Sequence, residues 1–172
     1  MATRRASLPC RTRLPLALVL GLMLTGCGDR AQTSKVSVAA CSTPAPDFRL
    51  PDLAGRGHTL KEYTDDQPVV LFFFTSWCPY CRKQIPTLKA IDRDRKALGV
   101  KLVAIGAGLE DTADNVRRYA LENRLPYVVL YDEGANVSAR YGVKVVPAAF
   151  LVQQDGCMRW LDRQLSASQL RQ

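Results

Sequence analysis

Histidine is almost absent from this 172-residue chain, which carries a single one, His58. Methionine occurs three times, no internal repeat is visible, and residues 1–26 contain no acid. Each of these gaps excludes something. A structural zinc site draws four ligands from cysteine and histidine, yet the chain has one close cysteine pair, Cys78 and Cys81, with no second pair to complete it. A copper(I) carrier wants soft ligands in number, and no Met-rich or His-rich segment accompanies that pair. No metal is therefore expected. The formal charge of +8 suggests nucleic acid until its position is considered. Arg4, Arg5, Arg11 and Arg13 all precede the apolar run that begins at Leu14. Without them 20 basic and 16 acidic residues remain, a net charge of +4 with no basic block. The electrostatic footprint of a nucleic-acid binder is missing.

Long apolar runs are lacking as well. Leu14 to Leu24 is shorter than the roughly 20 residues a membrane-spanning helix needs, and with the arginines before it reads as a targeting signal. Its end, Leu24-Thr25-Gly26-Cys27, resembles the lipobox of bacterial lipoproteins, which implies cleavage before Cys27 and a lipid attached to it. An ordinary signal peptide that ends near a cysteine is the plainer alternative. Thr3-Arg4-Arg5-Ala6-Ser7-Leu8 partly resembles a twin-arginine export signal but lacks the aromatic after the arginines. The expected organisation is a signal peptide over 1–26, a flexible tether over 27–46 rich in Ser, Thr, Ala and Pro, and a folded domain over 47–172. Export places the chain where disulfides form and persist. Once Cys10 leaves with the signal and Cys27 carries lipid, Cys41, Cys78, Cys81 and Cys157 remain, an even number that three pairings could satisfy.

Within the domain, Asp47–Leu50 and His58–Leu60, with Pro51, Gly55 and Gly57 between them, predict a small N-terminal hairpin. Pro68–Thr75 is a continuous apolar, β-favouring run, the pattern of a central strand buried on both faces. A helix follows from about Pro79 to Leu98, with Ile85, Leu88 and Ile91 on one face and Pro86 expected to kink it. Further expectations are a buried strand over 100–107, an amphipathic helix over 111–123, a strand over 126–131 and a short helix over 135–141. The end reads as a strand pair, 148–152 and 157–161, around a turn at 154–156, with a final helix capped by Ser166. Strands and helices in this order predict an α/β domain with a mixed central sheet and helices on both faces.

Cys78 stands between the buried strand and the long helix, where free backbone N–H groups and the helix dipole favour an anion. A thiolate is the nucleophile of disulfide exchange. Cys81, one turn further in, reaches the same sulfur. The pair therefore suits a cycle in which Cys78 attacks a disulfide and Cys81 resolves the mixed species. Cys78 is expected to be the exposed member and Cys81 the buried one. Three other readings compete: half of a zinc site, a purely structural disulfide, and a peroxiredoxin-like site built on Thr75-Ser76-Trp77-Cys78. The last lacks its upstream proline, since Leu71 stands there.

Three segments, Ala45-Pro46-Asp47-Phe48-Arg49-Leu50, Trp77-Cys78-Pro79-Tyr80-Cys81 and Tyr141–Leu151 around Val146-Pro147, resemble the thioredoxin superfamily, and within it the lipid-anchored TlpA-like (redoxin) thiol-disulfide oxidoreductases. The resemblance covers roughly residues 44–170. It implies a thioredoxin-like fold with an added N-terminal hairpin. It also implies catalysis by Cys78 and Cys81 and a substrate surface formed by Trp77, Pro79, Tyr80, Val146 and Pro147, with the Val146-Pro147 bond cis. No cofactor beyond the redox-active pair is implied. The expected partners are exported protein thiols or disulfides and a membrane electron donor of the thiol-disulfide interchange type. The expected site is extracytoplasmic, periplasmic in a Gram-negative cell, with the lipid on Cys27 holding the chain to the membrane. A disulfide oxidase and a thiol-based binding or metallochaperone module are the alternatives.

Two acids of the wider superfamily are replaced here. Thioredoxin carries a buried Asp six residues before the first cysteine, where this chain has Phe72. Several TlpA-like reductases carry a Glu three residues after the second cysteine, where it has Gln84. Glu110, in the loop after the second sheet strand, is the candidate stand-in, against a plain solvent-facing role. With the active pair and Cys27 set aside, Cys41 and Cys157 are expected to form a structural disulfide. His58, in the hairpin, is expected at the surface.

Overall fold

The computed structural model describes residues 41–171. The proposed signal peptide, Cys27 and most of the tether lie outside them. Seven strands and five α-helices follow in order: β1 Arg49–Pro51, β2 Gly57–Thr59, α1 Leu60–Thr64, β3 Val69–Phe74, α2 Pro79–Arg93, α3 Arg95–Leu98, β4 Lys101–Ala107, α4 Ala113–Glu122, β5 Val128–Asp132, α5 Asn136–Arg140, β6 Ala148–Val152 and β7 Met158–Trp160. A 3-10 turn, Ala167–Leu170, closes the chain with Ser166 and Gln169 forming a capping box.

The main sheet runs β5-β4-β3-β6-β7. β3 pairs in parallel with β4 and β4 with β5, while β6 is antiparallel to both β3 and β7. This is the mixed sheet expected. β1 and β2 form the separate N-terminal hairpin.

β3 explains why the sequence there is apolar without alternation: all six of its residues are buried. Successive side chains of a strand point to opposite faces, so β3 feeds two cores. Val70, Phe72 and Phe74 meet α2 and α4 through Ile85, Leu88, Ile91, Val116 and Tyr119. Val69, Leu71 and Phe73 meet the hairpin, α1 and the Val137–Tyr141 segment on the other face. Large rings are matched with small neighbours, since Phe72 lies between Ala104 of β4 and Ala149 of β6. Losing a ring of this kind costs about 3–5 kcal/mol.

Several local expectations change. The helix after Cys78 runs through Pro86 but ends at Arg93; Asp94 breaks it, and α3 finishes at Gly99, whose positive φ of 61° caps it. Leu60 begins α1 rather than ending a strand. His58 is half-buried, stacked on Tyr63 with ring centroids 5.9 Å apart, its Nε2 3.3 Å from Asp52 Oδ2 and its Nδ1 3.4 Å from Glu62 Oε2.

The end of the supposed tether also packs, which moves the start of the folded unit ahead of residue 47. Pro44 bridges Cys157 in antiparallel fashion; Ala45 N–H donates to Gly156 O at 2.8 Å, and Met158 N–H to Thr43 O at 2.9 Å. An edge strand leaves backbone groups unpaired, and residues 43–45 supply partners for this edge. A proline is compatible with that position because an edge residue can face solvent without an N–H. Cys41 and Cys157 are disulfide-bonded there, with Cα atoms 5.4 Å apart and a sequence separation of 116.

Candidate active site

β3 delivers the chain to the site. After Phe74 the strand stops, Cys78 N–H donates to Thr75 O at 3.2 Å, and α2 begins with Cys78 as its N-cap and Pro79 in its first turn. Proline suits that turn, where its missing N–H leaves no bond unmade. Cys81 N–H donates to Cys78 Sγ at 3.0 Å, so one free donor of the helix start is spent on the sulfur itself. The two cysteines are disulfide-bonded, with Cα atoms 5.3 Å apart.

Opposite them stands the loop before β6. Val146-Pro147 is cis, and Val146 O lies 3.8 Å from Cys78 Sγ. The expected exposure of Cys78 is corrected: in the bonded form it is 3% exposed and Cys81 1%. Its sulfur faces the Val146 carbonyl rather than solvent. What is exposed is the surround, with Trp77 at 56%, Tyr80 at 63% and Val145 at 52%. Together with Leu109 they leave apolar surface in water near the cysteines, the usual mark of a binding face.

A loop of β4 fastens this arrangement. Asp111 is buried; Ser76 N–H donates to its Oδ2 at 2.6 Å, the Ser76 hydroxyl to Oδ1 at 2.8 Å, and Thr112 N–H to Oδ1 at 3.0 Å. Trp77 Nε1–H donates to Leu109 O at 3.3 Å, and the Tyr131 hydroxyl to Asp111 O at 3.0 Å. Gly108 makes the close approach possible, because a Cβ there would come within 2.8 Å of Asp132 O and Gly134 N. The acid of this loop that turns inward is thus Asp111. Glu110, the expected stand-in, is exposed and sits at a positive φ of 51°.

The environment behind Cys81 is aromatic and aliphatic. Phe72, Phe74, Ile85, Leu88, Tyr119 and Tyr127 line a small void beside it. Burial pushes the Tyr127 and Tyr119 hydroxyls up; the Arg82 guanidinium, 5.9 Å from the Tyr119 ring, pulls the second back down. Gln84 is partly buried, and its Oε1 finds no hydrogen-bond partner among the described residues. It lines a cleft of about 490 Å³ with Tyr80, Lys83, Pro147 and residues 162–164. Among the described residues no three His, Cys, Asp or Glu side chains converge as a metal site. Also among them, no helix is long and apolar enough to cross a membrane.

The structure therefore gathers Trp77, Cys78, Pro79, Tyr80, Cys81, Val146 and Pro147 at one place and sets Cys41 and Cys157 apart from them. Sequence reasoning passed over Asp111 and Ser76. The spacing puts Asp111 at the start of the amphipathic helix, whereas the helix is capped one residue later by Thr112, whose Oγ1 accepts from Asn115 N–H at 3.2 Å, and Asp111 is left to turn inward.

Comparison with known proteins gives the same picture. The model of the AhpC/TSA family matches residues 41–161. The chain is 34% identical to the thiol-disulfide oxidoreductase ResA of Geobacillus thermodenitrificans over 124 residues, covering 72% of this chain and 69% of that protein. It is 29% identical to ResA of Bacillus cereus over 150 residues, 85% of each. A Chlorobium tepidum crystal structure described as a thiol:disulfide interchange protein DsbE superposes with a TM-score of 0.61 at 28% identity, over 67% of this chain and 79% of that one. By sequence and by fold alike, then, the chain belongs to the AhpC/TSA family, among the thioredoxin-like thiol-disulfide oxidoreductases.

Proposed function

We propose that this oxidoreductase works outside the cytoplasm as a reductase of disulfides in exported proteins, held to the membrane by lipid on Cys27. The observation that carries the chemistry is the placement of Cys78 Sγ, which takes an N–H at 3.0 Å from the first turn of α2. That donor remains when the bond to Cys81 is broken and stabilises the sulfur as an anion. In the reduced protein the Cys78 thiolate attacks one sulfur of the substrate disulfide and the other leaves as a thiolate that takes up a proton. Cys81 then loses its proton and attacks Cys78 Sγ, the second substrate thiol departs, and the Cys78–Cys81 disulfide is formed. Two electrons pass to the substrate. A dithiol donor in the membrane returns them by the same exchange in reverse.

Trp77, Tyr80, Val146 and Pro147 are the surface on which an extended substrate segment would rest, because they surround the attacking sulfur. Neither Phe72 nor Gln84 can accept the Cys81 proton, so water or the departing substrate thiolate receives it. A Cys81→Ser variant tests the reading: it should accumulate mixed disulfides through Cys78 with exported proteins, identifiable by mass spectrometry. Recovery of no partner would sink it. Direction is read separately from the midpoint potential, for which a value near the −270 mV of thioredoxin fits a reductase and one near −120 mV makes the protein an oxidase.

A further inference from the structure

The cleft of about 490 Å³ beside the cysteine pair is shaped by Tyr80 and Pro147 but charged by Lys83 and Arg163. Both cations are exposed, and among the described residues neither lies within ion-pair distance of a carboxylate. Lys83 Nζ sits 5.5 Å from the centre of the Tyr80 ring, which holds it at the mouth. The one acid of the cleft, Asp162, is turned into its own loop, where its Oδ1 accepts the Arg163 and Gln164 N–H groups at 2.5 and 3.2 Å. Arg82, next to Lys83, adds a further cation to the neighbouring rim formed with Trp77 and Pro79. A second feature is independent of charge: Gln84 Oε1 is a buried acceptor with no donor among the described residues. Buried polar atoms are rarely left unpaired, and an orphan acceptor lining a cleft fits a site that awaits an N–H.

We infer that this cleft is the specificity site for the polypeptide substrate and that it takes an acidic side chain close to the attacked cysteine. Lys83 and Arg163 meet the carboxylate, and the Gln84 amide turns outward so that its Oε1 accepts a substrate N–H. The inference rests on the thiol-disulfide reading and says which substrates that reading serves. Exposed ion pairs of this kind each favour a complex about two- to fivefold, so the pair together should give roughly a five- to tenfold preference.

The test uses three synthetic peptides with one internal disulfide, identical except that the residues flanking the cysteines are Glu, Gln or Lys. With reduced wild-type protein in excess, the single-turnover second-order rate constant for the Glu peptide should be about five- to tenfold above that for the Lys peptide, with Gln between them. High ionic strength should erase the order, and the double variant Lys83→Glu/Arg163→Glu should invert it. Equal rate constants for the three peptides, or an order unchanged by the charge reversal, overturns the inference. A small uncharged disulfide run beside them separates the two possible failures. If wild type reduces it while the peptides show no charge order, the cleft assignment alone is wrong; if wild type does not reduce it, the reductase reading fails.

Discussion

The two disulfides span almost the same distance, 5.3 Å between Cα atoms for Cys78–Cys81 and 5.4 Å for Cys41–Cys157, and almost everything else about them differs. One joins residues three apart in sequence and the other residues 116 apart. In the chain-entropy treatment the short loop restrains the unfolded chain by about 2 kcal/mol and the long one by about 5 kcal/mol. The first sits at a helix start, nine-tenths or more buried and touched by a backbone N–H; the second ties an exposed Cys41 to a sheet edge. Span does not tell the two apart. What separates them is the surround and the length of chain enclosed. Opening the short bond would release little of the fold, which suits the bond that the proposed cycle opens and closes in each turnover. A bond that holds the fold together encloses most of the domain.

The largest expected effect breaks this contrast if it fails to appear. Cys78→Ser should lower disulfide turnover by roughly 10³-fold or more, because the nucleophile itself is gone, while thermal unfolding of the reduced proteins stays nearly unchanged. A variant that keeps its activity would make the short disulfide structural too. Second in size is the double variant Cys41→Ser/Cys157→Ser. Urea unfolding should show a loss of up to about 4–5 kcal/mol, with turnover per folded molecule held within about twofold. A stability loss well under 1 kcal/mol would mean that residues 43–45 hold this edge by hydrogen bonds alone.

Asp111→Asn sharpens the comparison from the active-site side. Ser76 precedes Cys78 by two residues, and both its donors end on this one carboxylate. Asparagine keeps one acceptor and puts an N–H₂ where the second was. The expected cost is about 1–3 kcal/mol of stability, together with slower attack by Cys78 in single-turnover assays. An unchanged urea midpoint would show that Trp77 and Leu109 suffice to hold the strand end.

Much of this was legible in the sequence, and the parts that were not share a cause. The apolar run over β3, the Cys78–Cys81 spacing and the segment around Pro147 are local patterns, and each sits where its pattern put it. Asp111 is different. Its importance comes from the parallel register that sets Phe74 beside Gly106, so that the loops after β3 and β4 emerge together; nothing within five residues of Asp111 records that. Thr43 to Ala45 lack apolar periodicity and so predict a loose tether, yet what fixes them is backbone hydrogen bonding and a distant cysteine, neither visible in composition. α1, only five residues long, is too short for a periodicity to declare itself. The rank of Cys78 in the helix predicts an open sulfur, but its cover comes from a loop about 70 residues on.

The smallest expected effect lies in the hairpin between the two bonds, and it asks whether covalent closure is all that fixes the N-terminal end. Asp52 Oδ1 accepts the Ala54 and Arg56 N–H groups at 2.8 and 2.9 Å, while Oδ2 meets Arg56 Nε at 2.8 Å and His58 Nε2 at 3.3 Å. The Arg56 N–H, its guanidinium, the Ala54 N–H and His58 hold this carboxyl well below the usual carboxylate range against the opposing pull of desolvation. A carboxyl whose folded-state pKa is depressed adds stability that is present above its unfolded value, near 3.9, and is lost as pH falls toward the folded value. Neither disulfide titrates in that range. The melting temperature of wild type should therefore fall more steeply from about pH 5 to about pH 2 than that of Asp52→Asn, and the two should differ most near neutrality. Parallel curves would mean that the Asp52 cluster contributes nothing and that the Cys41–Cys157 bond carries this end of the domain without it.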